Sequence, residues 1–239
     1  MNIAVILAGG TGTRVGENVP KQFVKVFDKP ILAYTLEIFQ NNSQIDAIEI
    51  VCHKDWISEV ERIVATYQIT KNKWIVNGGS TFQESTMNGV FNLKDKVSDD
   101  DIVVISFGAS PMTPQEDIED AISVCEEHGN GIAAADIALC TCIKDDDFSS
   151  SQNLIRENLK GFAAPWAFKF GELCDAYEIA VSSGILDEVE PHTTSLYFAL
   201  GKKVWFSKST SPQVKITYKS DLDIFEGYLL LKKERESHD

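Results

Sequence analysis

The sequence lacks the features that mark several large classes of protein. It has no low-complexity tract and no repeat of solenoid period, which argues against a disordered or repeat architecture. No signal peptide precedes the first apolar segment, and no basic patch stands out among the 22 lysines and arginines. With 36 acidic residues the formal net charge is -14, which repels nucleic-acid backbones and anionic membranes. We therefore expect no nucleic-acid partner and no membrane association.

Cysteine is scarce and lacks the spacing of a disulfide framework. The five cysteines are an odd number, which fits the reducing cytosol and predicts a cytoplasmic protein. Cys140 and Cys142 are separated by one residue, but no second Cys/His pair with zinc spacing accompanies them. Packing on a strand is therefore the expected role of this pair.

Apolar runs alternate with helical patterns along most of the chain, and we read residues 1–239 as one domain. The alternation predicts a three-layer α/β/α sandwich with a mostly parallel, Rossmann-like sheet and a ligand at the carboxyl ends of its strands. The predicted strands are Ile3–Leu7, Ala47–Cys52, Trp74–Val76, Ile102–Ile105, Gly131–Ala135 and Lys203–Phe206. The predicted helices are Ile31–Phe39, Trp56–Tyr67, Thr81–Leu93, Glu116–Glu127, Lys169–Ser182 and Ser220–Lys233, the last capped by Ser220.

Residues 138–160 break this alternation with polar, serine-containing sequence. Two short strand pieces, Leu139–Ile143 and Asn158–Phe162, predict a protruding hairpin arm. An ordinary surface excursion is the alternative.

A glycine-rich segment follows the first predicted strand directly. Leu7–Lys21 reads LAGGTGTRVGENVPK, with three glycines at its start and then Arg14 and Lys21. Glycine lets backbone N–H groups approach phosphate oxygens, and cations offset the charge on a transferred phosphorus. The segment is neither GxxxxGK[ST] nor a GxGxxG followed by a distant acid, which disfavours P-loop and dinucleotide binding. The ordered cations favour a triphosphate site over a plain tight turn.

The same segment resembles the signature of a known enzyme family. Leu7–Arg14 followed by Pro20–Phe23 is similar to the cytidylyltransferases that act on 2-C-methyl-D-erythritol 4-phosphate and ribitol 5-phosphate, in the GT-A-like nucleotide-diphospho-sugar transferase superfamily. Two further segments extend the likeness: Asn77–Gly79 with Ser85 and Gly89 resembles GG-x-x-R-x-x-S-V, and Gln213–Thr217 with Asp221 and Leu222 resembles NIKVT-x-x-DL.

The resemblance implies a reaction and a role for each matched residue. An acceptor phosphate oxygen would attack the α-phosphorus of CTP in line and expel pyrophosphate, with Mg²⁺ as cofactor and a polyol phosphate or related phosphorylated alcohol as acceptor. The CDP-activated product would be a precursor of the kind used for cell-surface polysaccharides. Arg14, Lys21 and Lys215 would be the catalytic cations around the phosphates. The implied nucleotide-binding set is Ala8, Gly9, Gly10, Thr11, Gly12, Gly78, Gly79, Ser85 and Gly108.

The acceptor side departs from the family pattern. In the segment that matches V-H-D-A-A/V-R-P, Phe107 replaces the aspartate that helps hold Mg²⁺ and Ser110 replaces the arginine that faces the acceptor. Phe82 replaces the arginine of GG-x-x-R, and Ala164-Pro165-Trp166 replaces T-P-Q. His192-Thr193-Thr194-Ser195 replaces T-D-D/E-A-S. The metal ligand is thus unidentified, and Asp136, near a strand end, is one candidate. The same replacements disfavour methylerythritol phosphate itself as the acceptor.

Several replaced positions carry two interpretations. Phe82 and Phe107 either pack in the core or cleft wall or form the walls of a less polar acceptor pocket, and Trp166 either packs or stacks on the substrate. Ser110 and Thr193 are candidate acceptor contacts. His192 is either solvated or a hydrogen-bond donor or general acid. The resemblance implies that Thr141 reaches the partner subunit's acceptor site from a dimerisation arm, and hence a homodimer.

Three functional hypotheses remain open from the sequence. The chain is an active cytidylyltransferase on an altered acceptor, a catalytically silent CTP-binding or scaffold homologue, or a nucleotidyltransferase with another base or a sugar 1-phosphate acceptor. Arg14, Lys21 and Lys215 together favour activity, because a pure binder has less need of cations at the reacting phosphorus.

Overall fold

A seven-stranded sheet forms the centre of the protein. The structure, a computed structural model, describes residues 1–10, 19–210 and 215–237. The strands of the sheet are β1 (Asn2–Ala8), β4 (Ala47–Cys52), β5 (Asn72–Asn77), β6 (Ile102–Phe107), β7 (Asn130–Asp136), β10 (Lys160–Lys169) and β11 (Phe206–Ser207). They lie in the order β11-β7-β10-β6-β1-β4-β5, and every neighbouring pair is parallel except that β10 runs antiparallel to β6 and β7. Two short hairpins add β2 (Lys25–Val26) with β3 (Lys29–Pro30), and β8 (Thr141–Ile143) with β9 (Gln152–Leu154).

Helices cover both faces of the sheet. The helices of the described ranges are α1 (Ile31–Asn41), α2 (Ile57–Thr66), α3 (Phe82–Asn92), α4 (Gln115–His128), α5 (Phe170–Ser183), α6 (Thr193–Ala199) and α7 (Lys219–Glu236). None of them combines the length and the apolar character that crossing a bilayer requires.

The alternation of side chains along β1 explains the two core layers. Ile3 and Val5 point to one face, where they join a cluster with α3, α5 and α6. Ala4 and Ile6 point to the opposite face, where they join a cluster with α1, α2 and α4. Because β1 is buried on both faces, it reads as a continuous apolar run rather than as an alternating one. The predicted three-layer, mostly parallel α/β fold is confirmed.

One predicted cap is wrong, and one helix was not predicted. Helix α7 begins at Lys219, so Ser220 lies inside its first turn and does not cap it. The Asp221 carboxylate accepts hydrogen bonds from the backbone N–H groups of Thr217 (2.8 Å) and Tyr218 (2.9 Å) instead. Helix α6, which was not predicted from the sequence, begins directly after His192; Thr193 in its first turn is buried, and its hydroxyl lies 2.9 Å from the buried Tyr177 hydroxyl.

The predicted arm exists, with a different pairing. Residues 141–143 pair with Gln152–Leu154 and not with residues 158–162, which belong to a 3-10 turn and to the long strand β10. Cys140 and Cys142 are exposed on this arm, so the prediction that they pack on a strand is wrong. Large apolar side chains are also exposed here, with Leu139 at 78% and Phe148 at 99%.

One carboxyl group lies inside the core. Glu49 on β4 is fully buried beneath α3, where its Oε2 accepts a 2.6 Å hydrogen bond from Asn92 and its Oε1 has no partner in the described part of the chain. Burial raises the pKa of Glu49 to about 8, and the Asn92 hydrogen bond and the charge of Lys96 oppose that rise only in part. The carboxyl therefore folds in its protonated form near neutral pH.

We expect Glu49 to make stability fall as the pH rises. The unfolded carboxyl ionises near its ordinary pKa of 4.5 and the folded one near 8, so unfolding becomes more favourable across this window, by roughly 1.4 kcal/mol per unit of pKa difference. Glu49→Gln should remove this slope from urea unfolding measured between pH 5 and 8.5. The exposed Glu61→Gln on α2 is the control and should keep it; equal slopes in wild type and Glu49→Gln would refute the assignment.

Candidate functional site

A cleft of about 420 Å³ opens at the carboxyl ends of β1, β5 and β6. This is the edge of a parallel sheet at which ligands are expected. The described residues that line it come from five separate stretches of the chain: Leu7, Gly9, Gly10, Lys21, Gln22, Gly79, Ser80, Thr81, Phe82, Ser85, Phe107, Ala109, Lys215 and Thr217.

The start of the glycine segment is held by a buried glutamine. Gln22 donates through Nε2 to the carbonyl oxygens of Ala8 (2.6 Å) and Gly10 (3.0 Å). While Gln22 binds these two carbonyls, the backbone of Gly10 is exposed and lines the cleft. No role was predicted for Gln22, although it follows Pro20-Lys21 in the signature. Thr11, Gly12 and Arg14 lie outside the described residues.

The turn from β5 to α3 closes the cleft on its other side. Ser85 accepts a 3.0 Å hydrogen bond from the Gly79 N–H and donates to the Thr81 carbonyl at 2.9 Å. Thr81 and Glu84 form a capping box at the start of α3. A Cβ at Gly78 would lie 3.0 Å from the Ser85 Oγ, and one at Gly79 only 2.2 Å from the Glu84 Cβ. Ser85 thus fixes the shape of the glycine turn.

Two lysines far apart in sequence meet in the cleft through one backbone segment. The Lys21 ammonium donates to the Ile216 carbonyl at 2.6 Å, and the Ile216 N–H donates to the Ala109 carbonyl at 2.9 Å. Lys215, the preceding residue, lines the same cleft. The structure therefore brings Lys21 and Lys215 together with Gly9 and Gly10, as the resemblance implies.

Other predicted positions lie outside the lining. Gly108 is buried, and its N–H donates a 2.9 Å hydrogen bond to the Leu7 carbonyl. A Cβ added at Gly108 would lie only 3.0 Å from the Ala8 Cβ. Ser110 is buried and its carbonyl accepts from the Thr113 hydroxyl at 3.1 Å. Thr193 is fully buried, and the Thr141 hydroxyl donates to the Leu139 carbonyl on the arm at 3.1 Å. Gly108, Ser110 and Thr193 shape the structure around the cleft and form no part of its described surface.

The replaced acceptor-side positions converge in one aromatic cluster. Ring centroids are 5.7 Å apart for Phe82 and Phe107, 5.5 Å for Phe107 and Trp166, and 5.2 Å for Phe82 and His192. Phe82 and Phe107 line the cleft, whereas Trp166 is 2% exposed behind them. Sequence spacing gave no sign of this cluster, because its four rings lie on different elements.

His192 lies at the rim of this cluster and is half-buried. Burial and the nearby Lys215 ammonium lower the pKa of His192, while Glu190 opposes the shift. The imidazole is therefore neutral at neutral pH, which removes the positive charge that a general acid would carry. Its Nδ1 lies 2.8 Å from the Pro191 carbonyl.

The cleft residues do not fit a protein-held Mg²⁺. No carboxylate occurs among the described lining residues, and the described parts of the chain hold no cluster of three His, Cys, Asp or Glu side chains able to bind a metal. The nearby Glu84 Oε2 is taken by the backbone N–H (2.6 Å) and hydroxyl (2.5 Å) of Ser80. Asp136, the guessed ligand, pairs with Lys160 at 2.6 Å at the base of the arm.

Comparison with known protein families identifies the family of this chain. The family model IspD, described as 2-C-methyl-D-erythritol 4-phosphate cytidylyltransferase, matches residues 2–230 of the chain. The chain belongs to the IspD family. The predicted family resemblance is thereby confirmed.

Relatives within the IspD family carry two different acceptor names. A ribitol-5-phosphate cytidylyltransferase of Lacticaseibacillus paracasei is 35% identical over 233 residues, which cover 98% of this chain and 100% of that protein. A 2-C-methyl-D-erythritol 4-phosphate cytidylyltransferase of Clostridium acetobutylicum is 35% identical over 234 residues, covering 98% of each. The crystal structure of 4-diphosphocytidyl-2C-methyl-D-erythritol synthase from Anaerococcus prevotii superposes with a TM-score of 0.80 at 22% identity, covering 96% of this chain and 98% of that one.

Proposed function

We propose that this IspD-family protein transfers CMP from CTP to the phosphate of a polyol phosphate or a related phosphorylated alcohol and releases pyrophosphate. The observation that carries the proposal is the meeting of Lys21 and Lys215, joined through Ile216, at a cleft lined by Gly9 and Gly10. Such a cleft offers backbone N–H groups and cations to a triphosphate. Because the acceptor oxygen attacks the α-phosphorus directly, the reaction needs no nucleophile from the protein.

The two lysines would act by electrostatics. Charge accumulates on the oxygens of the α-phosphorus as the acceptor oxygen attacks and pyrophosphate leaves, and fixed cations at that point stabilise the transition state more than the bound substrate. Arg14 is proposed to share this role. Mg²⁺ is proposed to enter with the triphosphate, held by its oxygens and by water, and would neutralise the leaving pyrophosphate.

The acceptor is proposed to be a polyol phosphate such as ribitol 5-phosphate. Two of the replaced acceptor-side positions, Phe82 and Phe107, line the cleft with aromatic rings where the family has charged groups, and the buried Trp166 packs behind them. The Phe82 ring would pack against the carbon chain of a polyol, while Lys215 would bind its phosphate. This arrangement disfavours methylerythritol phosphate, for which the family keeps an arginine and acidic groups.

Assembly and location belong to the same proposal. The exposed apolar side chains of the 138–160 arm favour a homodimer in which Thr141 reaches the partner's acceptor site. All five cysteines are free, as expected in the reducing cytoplasm.

A catalytically silent CTP-binding homologue is the second candidate, and the absence of a carboxylate from the described cleft lining favours it. Pyrophosphate release separates the two. CTP and Mg²⁺ are supplied with ribitol, glycerol, mannitol, arabinitol or methylerythritol phosphate, and ATP, GTP and UTP replace CTP in parallel. Release with CTP and one polyol phosphate supports the enzyme; CTP binding without release from any acceptor supports the silent binder.

Gly10 tests whether the triphosphate lies on the exposed backbone of the loop. A Cβ at Gly10 meets no atom of the described residues within 4 Å, so Gly10→Ala should fold as the wild type does. The added methyl would occupy the space that phosphate oxygens need, and CTP affinity should fall by about tenfold or more. Calorimetric titration measures this, with Gly161→Ala on β10 as the control. Unchanged CTP affinity in Gly10→Ala would place the triphosphate elsewhere.

A further inference from the structure

The Lys215 ammonium lies over the face of an aromatic ring. Its Nζ is 3.7 Å from the ring centroid of Phe107 and 5.9 Å from that of Phe82. Both distances fall within the range in which a ring face attracts a cation, and the shorter one makes Phe107 the principal ring.

The backbone that carries Lys215 is fixed beside this ring. Ile216 is bound at both of its polar backbone atoms, since its N–H donates to Ala109 and its carbonyl accepts from Lys21. Ala109 follows Phe107 by two residues, so the lysine and the ring are anchored to the same stretch of chain. With the backbone fixed, the conformational freedom that remains is that of the Lys215 side chain, and ordering a lysine side chain costs conformational entropy.

Phe107 is itself held in place. It ends β6, its ring meets that of Trp166 edge to face at 5.5 Å with an angle of 85°, and the Phe82 ring lies 5.7 Å away. A ring locked between two others presents one defined face to the ammonium.

We infer that Phe107 is a positioning residue, which holds the Lys215 ammonium at the cleft for the phosphate of the substrate; this rests on the proposed function. A ring face attracts a cation without carrying a net charge, so the contact with Phe107 does not neutralise the Lys215 ammonium. A carboxylate at the same position would neutralise the lysine and repel the triphosphate. The replacement of the family's aspartate by Phe107 thus shifts charge compensation at this point toward Lys215.

A double-mutant cycle tests the inference. Phe107→Leu should lower kcat/KM by about tenfold, while Phe107→Tyr, which keeps the ring, should stay within about threefold of wild type. Phe82→Leu, which removes the more distant ring, should cost less than Phe107→Leu. In a Lys215→Ala background Phe107→Leu should change kcat/KM by less than about twofold, because the group it positions is gone. Additive losses would overturn the inference.

A spectroscopic readout keeps the test independent of turnover. The Phe107 ring current should shift the Lys215 ε-methylene protons upfield, and this shift should vanish in Phe107→Leu and persist in Phe107→Tyr. Lys215→Arg assigns the resonance. An unshifted resonance in the folded wild type would overturn the inference even if the enzyme turns over. Absent turnover and absent CTP binding beside a normal ring-current shift would instead refute the proposed function.

Discussion

Lys21→Ala should lower kcat by about 10²–10³-fold while changing CTP affinity far less. The expected size is that of removing one fixed donor from a site where charge develops in the transition state. The Lys21 ammonium already donates to the Ile216 carbonyl, so it is oriented before the substrate binds. Little free energy is then needed to reorient the lysine during the reaction. Steady-state kinetics with the accepted polyol phosphate, together with a calorimetric CTP titration, separates the two effects.

The exposed Lys25 on β2 provides the matched control. Lys25→Ala removes the same charge from the same part of the chain and should leave kcat within about twofold of wild type, as expected for a screened surface charge. A Lys21→Ala protein with normal kcat and weak CTP binding would assign Lys21 to binding alone. The melting temperature of Lys25→Ala should match the wild type, whereas that of Lys21→Ala should fall slightly because the Ile216 carbonyl loses its donor.

Gly79→Ala should damage the cleft by forcing apart the turn that begins α3. Its Cβ would lie 2.2 Å from the Glu84 Cβ and 3.0 Å from the Glu84 carbonyl carbon, and backbone cannot move aside cheaply. We expect a loss of about 2–3 kcal/mol in the free energy of unfolding. Turnover should fall about 100-fold, because a displacement of about 1 Å misaligns reacting groups. Urea unfolding and steady-state kinetics measure the two effects.

Gly227 on α7 is the control for the chemical change itself. A Cβ at Gly227 meets nothing within 4 Å in the described structure, and alanine favours helix over glycine by up to about 1 kcal/mol. Gly227→Ala should therefore be neutral or stabilising and should turn over normally. If Gly79→Ala behaved in the same way, the β5–α3 turn would be more tolerant than its contacts indicate.

The sheet and most helices were predictable because their signals are local. Strand β1 is an unbroken apolar run that a glycine ends, and that pattern alone predicts a strand buried on both faces. The capping box of Thr81 and Glu84 likewise marks the start of α3 within four residues of sequence. The sequence also pointed to Lys21, by its place after the glycines, and to Lys215, by the resemblance alone; both lie at the cleft.

The features that the sequence did not predict depend on contacts between segments far apart in the chain. Helix α6 was not predicted, and the burial of Thr193 in its first turn depends on the Tyr177 hydroxyl of another helix, which lies 2.9 Å away. The role of Gln22 depends on two backbone carbonyls that no side-chain pattern reveals. Phe107 looks like a lost metal ligand until the fold places the Lys215 ammonium over its ring. Sequence showed what had been replaced at this site, and the structure shows what the replacement contacts.

The most direct test of the central claim follows the α-phosphorus of CTP. The protein is incubated with Mg²⁺, ribitol 5-phosphate and CTP radiolabelled at either the α- or the γ-phosphorus, and the products are separated by chromatography and identified by their radioactivity. We predict that the α-label appears in CDP-ribitol and the γ-label in pyrophosphate, and that Lys21→Ala forms neither at a comparable rate. Persistence of both labels in CTP with every polyol phosphate, despite measurable CTP binding, would contradict cytidylyl transfer and identify a silent nucleotide-binding homologue.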